Sequence, residues 1–143
     1  MARGTRLETE AVEAYEKKYG VKVKENNDVW VSDDDNNIAL SPDGEIDAVT
    51  AIEIKCLSSA RHLQAYFEKE VPDDYQTQVM QYFIVNEKLQ VVNVVFYDPR
   101  ITALPVHAIE VHRSEHEETI AAYKVYQIEA LAEAKRLVAE LTF

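Results

Sequence analysis

Helical and β-type hydrophobic patterns alternate along this 143-residue chain, and their order is the strongest constraint on its fold. Apolar residues recur at helical spacing near the N-terminus, whereas the middle of the chain holds short alternating or continuous apolar runs typical of strands. The predicted helices cover residues 5–19, 59–68, 73–86 and about 114–141, and the predicted strands cover residues 21–24, 29–32, 38–40, 46–57, 89–97 and 101–112. This order predicts a mixed central β-sheet flanked by helices, an α/β or α+β fold in a single domain spanning residues 1–143.

The composition is that of a globular chain with an excess of negative charge. The 26 acidic residues outnumber the 15 basic ones, and the formal net charge is −11. Proteins that coat nucleic acid or bind anionic membranes normally carry a basic surplus, so this balance argues against both classes but leaves room for a local cationic patch. Nine of the acids fall in residues 25–53, which hold no lysine or arginine. We expect residues 33–37, DDDNN, to form a solvated loop.

The chain has a single cysteine, Cys56, and no membrane or export signal. One cysteine excludes an intramolecular disulfide and any four-cysteine zinc or iron–sulfur site. No stretch reaches the roughly 18 apolar residues of a membrane helix, and charges stand where a signal peptide would be apolar. We therefore expect a cytoplasmic protein without membrane contacts, with Cys56 as a small core residue.

Two charged residues interrupt the otherwise apolar strand at residues 51–56, AIEIKC. Because side chains alternate along a strand, Glu53 and Lys55 are predicted to share one face, with Ile52, Ile54 and Cys56 on the other. A carboxylate and an ammonium are costly to bury without partners. The pattern is therefore compatible with an ion pair on a solvated edge strand or with a functional site.

Asp43 favours the functional interpretation. It lies in a Pro-Asp-Gly turn ten positions before Glu53, and a bend there would return it beside that residue. Two carboxylates within reach of each other suit a hard cation such as Mg²⁺ or Mn²⁺. Lys55 would then lie next to the attacking water. A plain turn residue remains the alternative for Asp43.

Two further groups of residues are weighed and set aside. His112 and His116 have a spacing seen in zinc sites, but they straddle Ser114, a predicted helix cap, so a metal role is not favoured. The tyrosine-rich stretch at residues 123–126, with the apolar residues at 128, 131 and 137, is predicted to pack against the rest of the protein.

Six ordered motifs resemble those of the PD-(D/E)XK nucleases, and within them the lambda-exonuclease-like, YqaJ-type viral recombinase nucleases. They are, in chain order, Gly4-Thr5-Arg6-Leu7-Glu8, Gly20-Val21, Ser41-Pro42-Asp43-Gly44, Glu53-Ile54-Lys55-Cys56, residues 75–79 with Gln78, and Tyr97-Asp98-Pro99-Arg100. One such motif is weak evidence, whereas six in order are specific. The resemblance covers residues 4–100 and implies a restriction-endonuclease-like core, in agreement with the mixed sheet predicted from the hydrophobic patterns.

The resemblance implies roles for the residues of the charged strand and its neighbouring turn. Asp43 and Glu53 match the metal ligands, assisted by the backbone carbonyl of Ile54. Lys55 matches the catalytic lysine, which would add positive charge near the reacting phosphate. The implied chemistry is phosphodiester hydrolysis assisted by Mg²⁺ or Mn²⁺.

Two residues outside the strand also match the family pattern. Glu8 matches a further acidic residue that reaches the metal site, and Gln78 matches a glutamine beside the attacking water. A capping box with Thr5 remains an alternative for Glu8, and an exposed helical position remains one for Gln78. Candidate phosphate contacts, each with a solvated surface role as the alternative, are Lys17, Lys18, Arg61, Lys69 and Arg100.

The function implied by the resemblance is that of a phage-type 5′-to-3′ double-strand DNA exonuclease in recombination, located in the bacterial host cytoplasm if phage-encoded. The implied partners are DNA and a single-strand annealing recombinase, and the implied assembly is a homo-oligomer, a trimer in lambda exonuclease. Two alternatives stay open. One is a minimal endonuclease of the same superfamily, and the other is a noncatalytic protein-interaction module with a nuclease-like fold.

Overall fold

The computed structural model describes residues 2–24 and 28–141 of the chain. Its elements are, in order, α1 (Ala2–Tyr19), β1 (Trp30–Val31), β2 (Ala39–Leu40), β3 (Gly44–Asp47), β4 (Thr50–Lys55), α2 (Ser59–Glu68), α3 (Asp73–Val85), β5 (Val91–Tyr97), β6 (Val106–His112) and α4 (Glu117–Leu141), with a 3₁₀ turn (Arg113–Glu115) before α4. None of the helices in these ranges combines the length and apolarity needed to cross a membrane.

The main sheet has four strands in the order β3-β4-β5-β6. β4 is antiparallel to β3 and parallel to β5, and β6 is antiparallel to β5. A parallel pair requires a long crossover connection, which α2 and α3 supply between β4 and β5. The predicted mixed sheet is therefore confirmed. β1 and β2 form a separate two-stranded sheet.

Helices cover both faces of the main sheet. On one face, α1 packs through Ala11 and Tyr15 against Ile52 and Ile54 of β4. On the other face, the helices and strands share a larger apolar cluster that includes Ala65, Val79, Phe83, Val94, Phe96 and Ile120. Successive residues of β4 therefore enter different layers, and the even-numbered ones face α1. Glu53 and Lys55 therefore share the opposite face, as the alternation predicted. In the structure, α3 covers that face.

The predicted strand at residues 21–24 is wrong, since this segment forms only an isolated bridge between Lys24 and Glu45. Two longer predicted strands are interrupted by turns. The predicted strand at residues 46–57 is wrong as one strand, since β3 ends at Asp47 and β4 begins at Thr50. The Asp47 carboxylate accepts the Val49 backbone N–H at 2.9 Å and so stabilises a tight turn. The predicted strand at residues 101–112 begins only at Val106, because residues 98–104 form consecutive turns.

The start of α4 also differs from the prediction. The helix begins at Glu117 and not at Ser114, which lies in the preceding 3₁₀ turn. Arg113 holds this turn in place, because its guanidinium donates to the Phe83 and Asn86 carbonyls, each at 2.8 Å, and to the Leu89 carbonyl at 2.6 Å. The side chain thus satisfies carbonyl groups at and beyond the C-terminal end of α3.

The acidic DDDNN segment is a loop between β1 and β2, as predicted, and it is fastened to α4. Lys124 Nζ lies 2.7 Å from Asp34 Oδ2, and Lys135 Nζ lies 2.8 Å from Asp35 Oδ2. Hydrogen bonds from Lys135 and from the Asn37 backbone hold the pKa of Asp35 below its ordinary value. Part of the chain's acidity therefore attaches this loop to the last helix.

Two predictions of burial are wrong. Most of the tyrosine-rich part of α4 does not pack into the core, since Tyr126 is 71% exposed and Leu137 is 46% exposed, whereas Leu131 packs against the larger apolar cluster as predicted. The buried contact of α4 comes instead from Ile120, near its start. Cys56 is exposed as well, because β4 ends at Lys55 and the cysteine lies beyond the sheet.

Gly44 is a point of close approach between β3 and its surroundings, and we predict that Gly44→Ala destabilises the protein. An added Cβ would lie 2.7 Å from Val23 Cγ1 and 3.1 Å from Ile52 Cγ1. Overpacking of this kind costs about 1–3 kcal/mol of unfolding free energy, measurable by urea denaturation. Gly20→Ala is the comparison. Its added Cβ meets no atom within 4 Å, so any destabilisation there comes from the positive φ of 67° and not from overpacking. An unchanged urea midpoint for Gly44→Ala would contradict the packing argument.

Candidate active site

Asp43 lies immediately before β3 and turns its side chain onto the edge of β4. Gly44 is paired with Ile52, and beyond this pair the β3–β4 ladder ends. Asp43 Oδ2 then accepts the Ile54 backbone N–H at 2.8 Å. The carboxylate therefore takes the place of a ladder partner, and the structure brings Asp43 to the strand that carries Glu53.

Glu53 is a buried carboxylate, with 5% of its surface exposed, in a strand that has a neighbour on each side. The alternative of an ion pair on a solvated edge strand is therefore wrong. Glu53 Oε1 accepts Gln78 Nε2 at 2.9 Å, and Oε2 accepts the Tyr82 hydroxyl. Burial and the nearby charge of Asp43 raise the pKa of Glu53 to about 7, against the opposing effects of Tyr82 and Lys55.

Lys55 is held between polar and aromatic groups of α3. Its Nζ donates to Gln78 Oε1 at 2.5 Å and lies 3.4 Å from Glu53 Oε1. The same ammonium stands 4.2 Å above the Tyr75 ring, within the range of a cation–π interaction. Gln78 therefore bridges the carboxylate and the ammonium, with its amide oxygen towards one and its amide nitrogen towards the other.

Tyr82 is a site residue that the sequence interpretation missed. Its buried hydroxyl contacts Glu53, lies 3.2 Å from the Ile52 carbonyl oxygen and accepts the Asp43 backbone N–H at 3.4 Å. Burial and the charge of Glu53 raise the pKa of Tyr82, so the hydroxyl stays protonated as a donor. The available signal was its position four residues after Gln78, which places both side chains on one face of α3.

Glu8 reaches the neighbourhood of this cluster from α1. The pKa of Glu8 is raised by partial burial and then by the charge of Asp43. Because α1 is already helical from Ala2, Thr5 is not its N-cap, and the capping-box alternative for Glu8 is wrong. The structure therefore places Glu8 within electrostatic reach of Asp43.

The candidate phosphate contacts are spread over the surface. Arg61, in the first turn of α2, pairs with Asp74 at 2.6 Å and donates to the Tyr75 hydroxyl at 3.3 Å. It is thus joined to the aromatic ring that supports Lys55. Lys17 lies about 14 Å along the α1 axis from Glu8, and the structure does not bring it to the cluster.

Arg100 is anchored at the end of β5. Its guanidinium lies 2.9 Å from Asp98 Oδ1 and donates to the Leu57 carbonyl at 3.3 Å. Burial acts to raise the pKa of Asp98, but hydrogen bonds from Arg100 and Ser59 lower it to about 2. Arg100 therefore connects the chain after β5 with the segment that directly follows the charged strand.

The donor set of the site is small. Within residues 2–24 and 28–141, no three histidine, cysteine, aspartate or glutamate side chains converge as a complete metal cage. His112 belongs to no such cage either, and its Nε2 lies 3.1 Å from Glu110 Oε2. Asp43 and Glu53 offer two carboxylates, which is the protein contribution typical of Mg²⁺ sites completed by water and substrate phosphates.

The fold is that of an exonuclease of known structure. The chain is similar to an alkaline exonuclease, LHK-Exo, from Laribacter hongkongensis, with a TM-score of 0.71 and 23% identity over 96% of this chain and 73% of that chain. The structure of LHK-Exo in complex with dAMP gives a TM-score of 0.72 and 24% identity over 99% of this chain and 75% of that chain. No curated protein matches the sequence.

A family model, the YqaJ-like viral recombinase domain, matches residues 1–88. The matched segment contains the turn with Asp43, the strand with Glu53 and Lys55, and the α3 residues that contact them. It covers more than half of the chain. The chain therefore belongs to the YqaJ-like viral recombinase domain family and is a nuclease of the lambda-exonuclease type, as its motifs predicted.

Proposed function

We propose that this protein is a divalent-metal-dependent exonuclease that degrades double-stranded DNA in the 5′-to-3′ direction. The observation that carries the proposal is the grouping of two carboxylates, Asp43 and Glu53, beside the ammonium of Lys55. Two anions and one cation held together in a partly buried site suit the binding of a metal ion and a phosphate.

The residues present fit a hard divalent cation. Glu53 is buried next to a second carboxylate, and its pKa is raised by burial and then by the charge of Asp43, two effects that a bound cation would offset. Ile54 donates its N–H to Asp43. Because the N–H and C=O of one strand residue point to the same side, the Ile54 carbonyl is directed towards that edge as well. Asp43, Glu53 and this carbonyl would hold Mg²⁺ or Mn²⁺.

A bound cation would polarise the phosphoryl oxygens and make a water molecule acidic enough to attack at neutral pH. Lys55 would stabilise the negative charge that develops on the phosphate, because its ammonium is fixed by Gln78 and by the Tyr75 ring. Gln78 would orient the water through its amide, and Glu8 would approach the site from α1. Arg61 and Arg100 are the proposed phosphate contacts beside the site, and Lys17, which α1 holds away from the cluster, is proposed as a contact farther along the DNA.

Comparisons support the exonuclease and recombination parts of the proposal. LHK-Exo is an alkaline exonuclease, and one of its structures holds dAMP, a nucleoside monophosphate. The family is described as a viral recombinase domain. We propose, on this basis, that the protein acts as a homo-oligomer in DNA recombination together with a single-strand annealing recombinase.

The test of the proposed function is DNA digestion with matched substrates. Linear duplex DNA carrying a 5′ or a 3′ label is incubated with the protein in Mg²⁺, in Mn²⁺ and in chelator, beside covalently closed circles. We expect early release of the 5′ label from linear DNA in either metal, intact circles and no digestion in chelator. Cleavage of closed circles would indicate an endonuclease, and digestion in chelator would contradict metal dependence.

Tyr82 gives a prediction about the support of the metal ligands. Tyr82→Phe removes the hydroxyl that contacts Glu53 and the Asp43 backbone. Loss of an outer hydrogen bond of this kind typically lowers metal affinity about 10- to 100-fold, so we expect the Mg²⁺ concentration for half-maximal digestion to rise by that factor. Tyr123→Phe, on the exposed face of α4, is the matched control. An unchanged Mg²⁺ dependence of Tyr82→Phe would contradict the positioning role.

A further inference from the structure

β6 is an edge strand whose free side can be identified from the ladder. Its neighbour in the sheet is β5. The Asp98 N–H donates to the Pro105 carbonyl at one end, and the Arg113 N–H donates to the Gln90 carbonyl at the other. Because bonded pairs alternate in an antiparallel ladder, the odd-numbered residues of β6 bond to β5 and the even-numbered ones turn their backbone groups outward.

The outward groups of β6 are only partly used. Lys18 Nζ donates to the Val106 carbonyl at 2.8 Å, which agrees with the outward direction of this residue. For the outward N–H and C=O groups of Ala108 and Glu110, the described residues provide no hydrogen-bond partner. Unpaired groups at this spacing form a template on which a further strand can add.

A cavity of about 380 Å³ opens beside this free edge. It lies between the C-terminal ends of α1 and α2, with Tyr19 on one side and Tyr66 and Phe67 on the other. Phe67 is 76% exposed and Tyr66 is 44% exposed. The volume and the aromatic walls are typical of a pocket that accepts a large apolar side chain.

A second cavity, of about 360 Å³, adjoins the first along β6 and shares Lys69 and Ile109 with it. The two differ in charge. The first is lined by Lys18 and Lys69 and by no acidic residue, whereas the second adds the acids Glu70, Glu110 and Glu115 to the shared Lys69. An occupant of both cavities would thus be complementary if it were acidic at one end and basic at the other.

We propose that the free edge of β6 binds an extended segment of a partner polypeptide, which adds as a further strand of the main sheet. The segment would pair with the backbone of Ala108 and Glu110 and place a large apolar side chain in the first cavity. An acidic residue would lie near Lys18 and Lys69, and a basic one near the second cavity. The alternate side chains of the segment would thus determine specificity, and its main-chain hydrogen bonds would provide affinity.

A peptide fits this edge better than a nucleic-acid strand does. A peptide strand matches the outward N–H and C=O groups, which recur every second residue. The acids of the second cavity would repel phosphates. The proposal does not depend on the nuclease site, whose residues Glu53 and Lys55 are on β4, separated from β6 by β5.

The test uses the full chain and a fluorescein-labelled ten-residue peptide with alternating apolar and polar positions, glutamates in one half and lysines in the other. We expect binding with a Kd in the micromolar range by fluorescence polarisation. A peptide with all its glutamates changed to lysine should bind at least about tenfold more weakly. In ¹⁵N NMR spectra, the amides of Ala108 and Glu110 should shift and gain protection from exchange.

Ala108→Pro is the decisive variant, because it removes an outward N–H without removing a bond to β5. We expect at least about tenfold weaker peptide binding with DNA hydrolysis and Tm close to those of the unaltered chain. Phe67→Ala should weaken binding through the first cavity. Lys69→Glu should also weaken peptide binding, because it reverses a positive charge beside the first cavity. Lys88→Glu, at an exposed position, is its control.

Three results would overturn the proposal. The first is peptide binding that neither Ala108→Pro nor Phe67→Ala weakens. The second is a concentration-dependent dimer that Ala108→Pro abolishes, which would make a second copy of this chain the occupant. The third is tighter binding of single-stranded oligothymidine than of the peptide, lost in Phe67→Ala, which would assign the cleft to nucleic acid.

Discussion

Glu53→Gln should reduce DNA hydrolysis at saturating Mg²⁺ by at least about a thousandfold. The substitution keeps the shape of a side chain that is 5% exposed, and it removes the negative charge proposed to hold the cation. Metal stabilisation of a transition state supplies several kcal/mol, and about 4 kcal/mol corresponds to about a thousandfold in rate. Steady-state digestion of labelled linear DNA measures the effect. Glu129→Gln, an exposed change of the same chemistry on α4, should leave the rate unchanged.

The same substitution should stabilise the metal-free protein. The pKa of Glu53 is raised from 4.5 to about 7 in the folded state, because burial and the charge of Asp43 disfavour the carboxylate. Between these two values the folded state keeps a proton that the unfolded chain has lost, so this group lowers stability as the pH rises through that window. Glu53→Gln has no such proton to lose.

We therefore expect Glu53→Gln to exceed the unaltered chain in unfolding free energy at pH 8 in chelator, by on the order of 1–3 kcal/mol, and by less at pH 5. Urea denaturation at both pH values measures the difference. Added Mg²⁺ should raise the Tm of the unaltered chain and have little effect on that of the variant. A stability gain that is equal at both pH values would contradict the assignment of the raised pKa to Glu53.

Lys55→Met should lower kcat by about 10²- to 10³-fold while leaving metal affinity intact. Methionine retains an apolar stem beside the Tyr75 ring but lacks the ammonium, which lies 3.4 Å from Glu53 Oε1. Without that positive charge, the carboxylates of the site should attract a cation at least as well as before. Isothermal titration with Mg²⁺ and single-turnover digestion separate the two effects.

Lys88→Met is the control for Lys55→Met, because Lys88 is exposed in the connection between α3 and β5. Lys88→Met should change neither Mg²⁺ affinity nor kcat. Equal losses of Mg²⁺ affinity and of kcat in Lys55→Met would show that the lysine supports the structure of the site and does not act on the reacting phosphate. An unchanged kcat would remove Lys55 from the proposed mechanism altogether.

Local patterns were sufficient for the elements that carry the site. The bounds predicted for α2 agree with the observed Ser59–Glu68, and those for α3 differ from the observed Asp73–Val85 by one residue. The alternation in β4 correctly assigned Glu53 and Lys55 to one face, because side-chain direction in a strand depends on the backbone alone. The bend at Asp43 was also predictable, since a Pro-Asp-Gly sequence favours a turn.

Other features depended on contacts between distant segments. The packing predicted for the tyrosine-rich half of α4 was wrong except at Leu131, because helical periodicity does not tell whether a surface is available to receive an apolar face. Tyr82 contacts Asp43 and Glu53, which are 39 and 29 residues away in sequence. The four-residue spacing of Gln78 and Tyr82 indicates a shared helix face, but no local pattern identifies the distant turn and strand that this face contacts.

The sequence by itself determined the family, most of the order of helices and strands and the residue types of the charged cluster, because motifs and hydrophobic periods are properties of short segments. Only the tertiary structure decided that Glu53 is buried within the sheet, that Gln78 bridges it to Lys55 and that the outer side of β6 is free. The physical reason is that burial, pKa and edge exposure depend on which segments pack together, and this is fixed by the whole chain.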